Sequence, residues 1–181
     1  VRVHYFMEMA LGGQKTQFFR TLRYRFIDTW GCPLPYLLLQ VLTQTKIAKR
    51  KVKEIPSGLL FNSETLLSKE AARSKLQWPT DLKMLLVVGR IDPKKQQQFI
   101  WNCFSHRTAT NERLIFVGEP TPDENNTYHQ TLFENIQTHS KRNQVIWVDF
   151  QTNMELLYSA ADAVIMADDQ ETVGMVTLEA L

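Results

Sequence analysis

The chain has 181 residues, of which 44% are apolar and 22% charged, and its formal net charge is +2. That composition is ordinary for a soluble globular protein with a sizeable core, and the length fits one domain plus part of another. It argues against a membrane-spanning chain, because the apolar run Pro33 to Leu39 falls well short of the ~20 residues a span needs, and against a signal peptide, because Val1 to Ala10 mixes His, Arg and Glu with apolar residues.

Over the first 55 residues, Val1 to Met9 and Tyr36 to Val41 read as strands separated by a helix over Thr16 to Asp28. Thr43 to Lys51 reads as another helix and Lys51 to Ile55 as a strand, after which Pro56, Ser57 and Gly58 break the pattern. Basic residues crowd this stretch, and only Glu8 and Asp28 oppose them before Lys53. Lys15, Arg20 and Arg23 are read first as the solvated face of a helix, with an anionic partner such as a membrane surface as the alternative.

From residue 83 onward, short apolar runs alternate with helical patterns. Lys83 to Val88 reads as a buried strand ending at Gly89, and Lys95 to Ser105 has helical spacing with Phe99, Ile100, Cys103 and Phe104 apolar. Arg113 to Val117 is a second strand ending at Gly118, followed by a helix over Tyr128 to Thr138 and a third strand over Val145 to Val148. Thr152 and Glu155 predict a capping box opening the next helix. Ala163 to Met166 is a fourth strand, and a last helix begins near Gly174. Uniformly apolar strands alternating with helices predict a doubly wound parallel α/β sheet. Residues 1–55 are assigned to the end of a preceding α/β domain and 56–181 to the doubly wound domain, with both expected to be incomplete.

Familiar nucleotide and metal signatures are missing. There is no G-x-G-x-x-G, and Gly12-Gly13-Gln14-Lys15-Thr16 lacks both the Gly-Lys pair and the upstream glycine of a P-loop. No HExxH or CxxC pair is present, the four histidines are scattered, and Cys32 and Cys103 have no metal or redox spacing. No metal site or cofactor is expected, and a reducing, cytoplasmic setting is. Nucleic-acid binding is not expected either, since the basic residues are not interleaved with an aromatic stacking platform.

Ligands of such sheets bind beyond the carboxyl ends of the strands. There, Gly89 and Arg90 follow the first strand of the doubly wound domain, with Lys95 five residues after Arg90. The segment Ala167 to Gly174 follows the fourth strand and opens a helix, whose terminal amides are a natural seat for phosphate. The pattern predicts a pocket for an anionic, diphosphate-like group.

These segments resemble the retaining family 4 glycosyltransferases of the two-Rossmann-domain GT-B type, over roughly Lys53 to Leu181. EIPSGL, from Glu54, is similar to that family's IPNG crossover, and LLVVGRIDPKKQ (Leu85 to Gln96) to its GR…K segment. RLIFVG from Arg113, VIWVDF from Val145 and ELLYSAADAVIM from Glu155 look like its next strands and helix. ETVGMVTLEA, from Glu171 to Ala180, fits its two glutamates separated by seven residues. The resemblance implies that Arg90 and Lys95 grip the diphosphate of a nucleotide-sugar donor. It implies that Glu171 faces the donor sugar, that Glu179 faces the ribose hydroxyls, and that Gly89, Gly174, Met175 and Val176 line the donor site. Of these, Glu171, Arg90 and Lys95 are the expected catalytic residues.

The function implied is metal-independent transfer of a sugar from a nucleotide-diphosphate donor to a saccharide or lipid-linked acceptor, with retention of anomeric configuration. Residues 1–55 would then close an acceptor-side domain and 56–181 would bind the nucleotide sugar. Peripheral contact with the inner membrane face is the accompanying expectation, and the isolated chain is expected to be inactive. A non-catalytic GT-B binding module and a GT-B sugar-nucleotide epimerase are the alternatives. The chain departs from the family at Gln96 and Asp149, where Gly is usual, at Ala167-Asp168, where Pro-Ser is usual, and at Thr172-Val173, where Gly-Phe is usual. Asp168 and Asp169 bring negative charge toward the expected phosphate site and would oppose binding if they point inward.

Overall fold

The computed structural model describes residues 2–7, 10–59, 67–122, 127–168 and 174–181. They divide into two compact units, one taking in the described residues up to 59 with Gly174 and Met175, the other the described residues from 67 to 168 with Val176 to Leu181.

The first unit is built on a three-stranded parallel sheet in the order β1 (His4–Phe6), β2 (Thr29–Cys32), β3 (Val52–Glu54). Helices α1 (Phe18–Tyr24) and α2 (Pro35–Gln44) connect the strands. Its core is Met7, Trp30, Cys32, Leu37, Val41, Ile47 and Val52. Two expectations fail here. Tyr36 to Val41 is helical and not a strand, because Pro35 sits at the first helical position, where its missing N–H is no loss, and Leu37 and Val41 then fall on one buried face. The helix expected over Thr43 to Lys51 is accordingly displaced: α2 ends at Gln44, and only a 3₁₀ turn forms at Lys49–Lys51.

The central strand β2 has no counterpart in the sequence reading. It is short and carries Gly31, which interrupts the pattern of a strand. The glycine is needed there: a Cβ at Gly31 would lie 2.7 Å from the Phe6 ring and 3.0 Å from Ile55. The Phe6 and Ile55 side chains therefore occupy the space over Gly31 that only glycine leaves open.

The second unit is a four-stranded parallel sheet in the order β6 (Val145–Val148), β5 (Glu112–Val117), β4 (Lys83–Val88), β7 (Ala163–Val164). Its helices are α3 (Lys69–Leu76), α4 (Gln97–Ser105), α5 (Thr127–Gln137), α6 (Glu155–Ala160) and α7 (Met175–Ala180), the last from Val176 onward. Alternate residues of each strand go to opposite faces. Leu85, Val87, Leu114 and Phe116 pack with Ile100, Trp101 and Phe104 of α4 and Leu132 and Ile136 of α5. Met84, Leu86, Ile115 and Val117 pack with Leu157 of α6 on the other face, against which Leu76 of α3 is also placed. Both faces of the parallel sheet are thus covered, giving the doubly wound α/β arrangement the sequence predicts.

Two local expectations are corrected. The capping box of Thr152 and Glu155 does not form: α6 begins at Glu155, whose N–H donates to the Asn153 Oδ1 at 3.2 Å. The closer Asn side chain takes the free amide in an Asx turn, leaving Thr152 outside the helix. The fourth strand is shorter than the apolar run, for only Ala163 and Val164 pair with β4, although the Ile165 N–H still donates to Leu86 O at 2.8 Å.

Arg73, from α3, clips the N-terminal ends of β4 and β7 together. Its guanidinium is buried and donates to the carbonyls of Ala160, Thr80 and Leu82 and, at 2.5 Å, to Asp162. Asp162 also accepts from the Met84 N–H at 2.7 Å and from Lys69 at 2.9 Å. Burial pushes the Asp162 carboxyl up, but the hydrogen bonds from Met84, Lys69 and Arg73 outweigh it and hold the group below the usual carboxylate range.

Candidate functional site

In the second unit β4, β5 and β6 run outward in chain order on one side, whereas β7 returns to the opposite side of β4. The carboxyl ends of β4 and β7 therefore stand at the topological switch point, where connections leave to opposite faces and where ligands of such sheets bind. Gly89, Arg90 and Lys95 follow β4, and Asp168 follows β7, so these residues flank that point.

Close backbone approach shapes the β4 end. Gly89 has φ +142° and Gly118, at the end of β5, has φ +136°, conformations that favour glycine. The Gly89 N–H donates to Val117 O and the Gly118 N–H to Val148 O, each at 3.0 Å, so the ladders continue past the strand ends. Ile91 is buried and bridges to Pro120, carrying the pairing one step further.

The loop after Gly89 is held from beneath. Gln97, 1% exposed, donates through Nε2 to the Arg90 carbonyl at 2.7 Å, and its Oε1 accepts from the Tyr128 hydroxyl at 3.3 Å. Asp92 caps a 3₁₀ turn over Pro93–Lys95 by accepting from the Lys94 N–H at 2.9 Å, and its other oxygen accepts from the Thr121 hydroxyl at 2.9 Å. The Lys94 amide, with Thr121 and the nearby Arg90 and Lys94 charges, holds the Asp92 carboxyl below its usual range against the opposing effect of burial. Gln97, Asp92, Thr121 and Tyr128 are positioning residues absent from the sequence reading. The Asp92-Pro93 pair was a visible signal for a capped turn; the burial of Gln97 had none.

Gln96 adopts the left-handed conformation, with φ 55° and ψ 30°, between the 3₁₀ turn and α4. This is the position at which the family resemblance leads one to expect Gly, and the backbone is consistent with that expectation, since glycine takes this conformation without the strain a Cβ brings.

Of the two expected cations, Arg90 is exposed and its side chain makes no hydrogen bond or ion pair among the described residues. Lys95 is differently placed. Its Cδ and Cε pass 3.7 Å from where a Gly89 Cβ would stand, and its ammonium lies 2.5 Å from Asp168 Oδ2. The side chains are 29% and 14% exposed, so the pair is partly withdrawn from water. Thus Lys95 bridges the switch point, from the loop after β4 to the segment after β7.

Glu179 lies on α7, where its Oε2 accepts from the Tyr158 hydroxyl of α6 at 2.9 Å. Burial, followed by the Glu179 carboxylate, pushes the Tyr158 hydroxyl well above its ordinary pKa, so it stays a donor. Glu171 and its neighbours Thr172 and Val173 lie outside the described residues. Gly174 has φ 66° and precedes α7; with Met175 it groups with the first unit, while Val176 groups with the second. The second unit thus brings together Gly89, Arg90 and Lys95, and ties Glu179 to α6. Among the described residues no group of His, Cys, Asp and Glu is placed to hold a metal ion, and no helix is long and apolar enough to cross a membrane.

Residues 68–181 match the family model described as "Glycosyl transferases group 1". Among curated proteins none matches the sequence. The fold is similar to that of Anabaena HepE, solved in complex with UDP, with a TM-score of 0.80 and 16% identity over 99% of this chain and 50% of that one. It is also similar to WaaG, a glycosyltransferase involved in lipopolysaccharide biosynthesis, with a TM-score of 0.73 and 19% identity over 98% of this chain and 53% of that one. Sucrose-phosphate synthase from Thermosynechococcus elongatus aligns with a TM-score of 0.75 and 18% identity, over 98% and 47% of the two chains. The chain spans about half the length of these structures.

Proposed function

The chain belongs to the group 1 glycosyl transferase family, and from that premise we propose that it binds a nucleotide-diphosphate sugar at the β4–β7 switch point and supports transfer of the sugar to a saccharide or lipid-linked acceptor. The observation that carries this reading is the pair of cations, Arg90 and Lys95, on one loop at the carboxyl end of β4. Cleavage of the sugar–phosphate bond moves negative charge onto the departing nucleoside diphosphate. Cations already in place stabilise that charge most in the transition state. Arg90 offers a planar fork of donors and Lys95 a compact charge, a pairing suited to two phosphates.

The finer parts of the reading rest on the motifs. Retention of anomeric configuration follows from the resemblance of the ETVGMVTLEA segment. Metal independence follows from cations supplied by the chain itself. Glu171 is assigned to the donor sugar and Glu179 to the ribose, with Gly174, Met175 and Val176 lining the donor site. The first unit is assigned to the acceptor-side domain. Its α1 buries no residue and presents Phe18 and Phe19, 75% and 77% exposed, beside Arg20 and Arg23. A groove of about 570 Å³ lined by Phe18, Leu22, Arg25, Lys46 and Arg50 continues that mixed basic and apolar surface. Such a surface suits an anionic bilayer, which supports peripheral membrane contact and a lipid-linked acceptor. A thermal-shift screen against nucleotide sugars tests the donor assignment: one of them raises Tm in the wild type and not in Arg90→Ala. A Tm unmoved by every nucleotide sugar contradicts it.

A further inference from the structure

The charge on Lys95 is already committed to a carboxylate. Its ammonium contacts Asp168 at 2.5 Å across the switch point, and its alkyl chain follows the Gly89 turn. Among the described residues Asp168 makes no other hydrogen bond or ion pair and caps no helix; Lys95 is its partner. Contrast Asp162 and Asp92, whose carboxylates each accept a backbone N–H and join segments together. An aspartate whose interaction is with the site's own cation has its effect on what that cation can bind.

Resting on the nucleotide-sugar reading, we propose that Asp168 is a resident counter-ion which the donor's diphosphate must displace from Lys95, so that this residue sets the affinity of the site for nucleoside diphosphates. Lys95 has three N–H donors and no acceptor, so both a carboxylate and a phosphate can be satisfied by it, but not side by side without repulsion between them. With the pair partly withdrawn from water, screening of that repulsion is incomplete. Arg90, exposed and unpaired among the described residues, is the cation free to meet the diphosphate first, and Lys95 exchanges partners afterwards. The exchange weakens ground-state binding of the donor. The Asp168 contact also keeps the ammonium in place over Gly89 when no donor is present.

The test is isothermal titration of wild type, Asp168→Asn and Asp168→Ser with UDP, GDP and ADP, together with NMR titration of the matching nucleosides. Both variants remove the charge, and their melting curves show whether the fold is kept. Both variants are expected to bind the preferred diphosphate about fivefold more tightly or better, the effect of releasing one partly exposed ion pair, while the uncharged nucleoside binds as it does to wild type. Unchanged diphosphate affinity overturns the proposal, as does an equal change for diphosphate and nucleoside, which marks a merely structural role. If no diphosphate binds wild type or variant, the nucleotide-sugar reading fails, and this inference with it.

Discussion

Gly118 and Gly89 stand so close that a Cβ built on Gly118 would lie 2.3 Å from the Gly89 carbonyl oxygen. The clash would be with backbone, so no rotamer change relieves it. Both residues have positive φ, and they hold the carboxyl ends of β4 and β5 in contact under the loop that carries Arg90 and Lys95. Gly118→Ala is therefore expected to destabilise the protein by about 2–4 kcal/mol, from strain and forced separation together. Chemical denaturation measures it; a loss below about 0.5 kcal/mol would mean that the two strand ends are not so joined.

Arg73 and Asp162 connect the other ends of the strands. Arg73→Met removes the buried guanidinium and leaves three carbonyls and a carboxylate short of donors, at an expected cost of about 2–4 kcal/mol. The Asp162 pKa is lower in the folded protein, so its contribution is complete above the unfolded value of about 3.9 and is lost as the pH falls through the folded value. Asp162→Asn should flatten the acid limb of a stability–pH profile. An acid limb identical to that of wild type would contradict this assignment.

The Arg90 side chain makes no hydrogen bond or ion pair among the described residues, and its backbone carbonyl, which Gln97 holds, is kept in the variant, so Arg90→Ala should leave Tm within a degree or two. In the intact enzyme it should lower kcat/KM for sugar transfer by ~10²-fold or more, as for the loss of one preorganised donor to a developing negative charge. Steady-state kinetics decide. Activity within twofold of wild type would remove Arg90 from the diphosphate site.

The surface around α1 should bind vesicles containing anionic lipid and not purely zwitterionic ones, with binding weakened by salt. Phe18→Ser with Phe19→Ser should abolish co-sedimentation, since each exposed ring contributes apolar area to the bilayer interface. Binding that ignores both lipid charge and these two rings would refute the membrane assignment.

How much of this could be read from the chain alone varied with the physics of each segment. β4, β5 and β6 were plain because strands covered on both faces read as short apolar runs, the first two ending in Gly89 and Gly118. Tyr36 to Val41 misled because a short apolar run fits a strand or a buried helix equally well, and Pro35 alone favoured the helix. α3 was invisible: KEAARSKL buries only Ala72 and Arg73, so it has almost no apolar face to detect. At the candidate site, Gly89, Arg90 and Lys95 were legible from their order after a strand. The grip of Gln97 on Arg90, and the engagement of Lys95 by Asp168, were not, since both join residues through side chains whose partners depend on packing and on a crossover of the chain.

A nucleoside diphosphate bound at the carboxyl ends of β4 and β7 is what the proposed function requires above all. Titration of the isotopically labelled protein with UDP, GDP and ADP, followed by backbone amide NMR, tests it most directly. One of them should shift the amides of Gly89, Arg90, Lys95, Ala167 and Asp168 together, in a single saturable process. Saturable shifts confined to other parts of the second unit, or to the first, would contradict it.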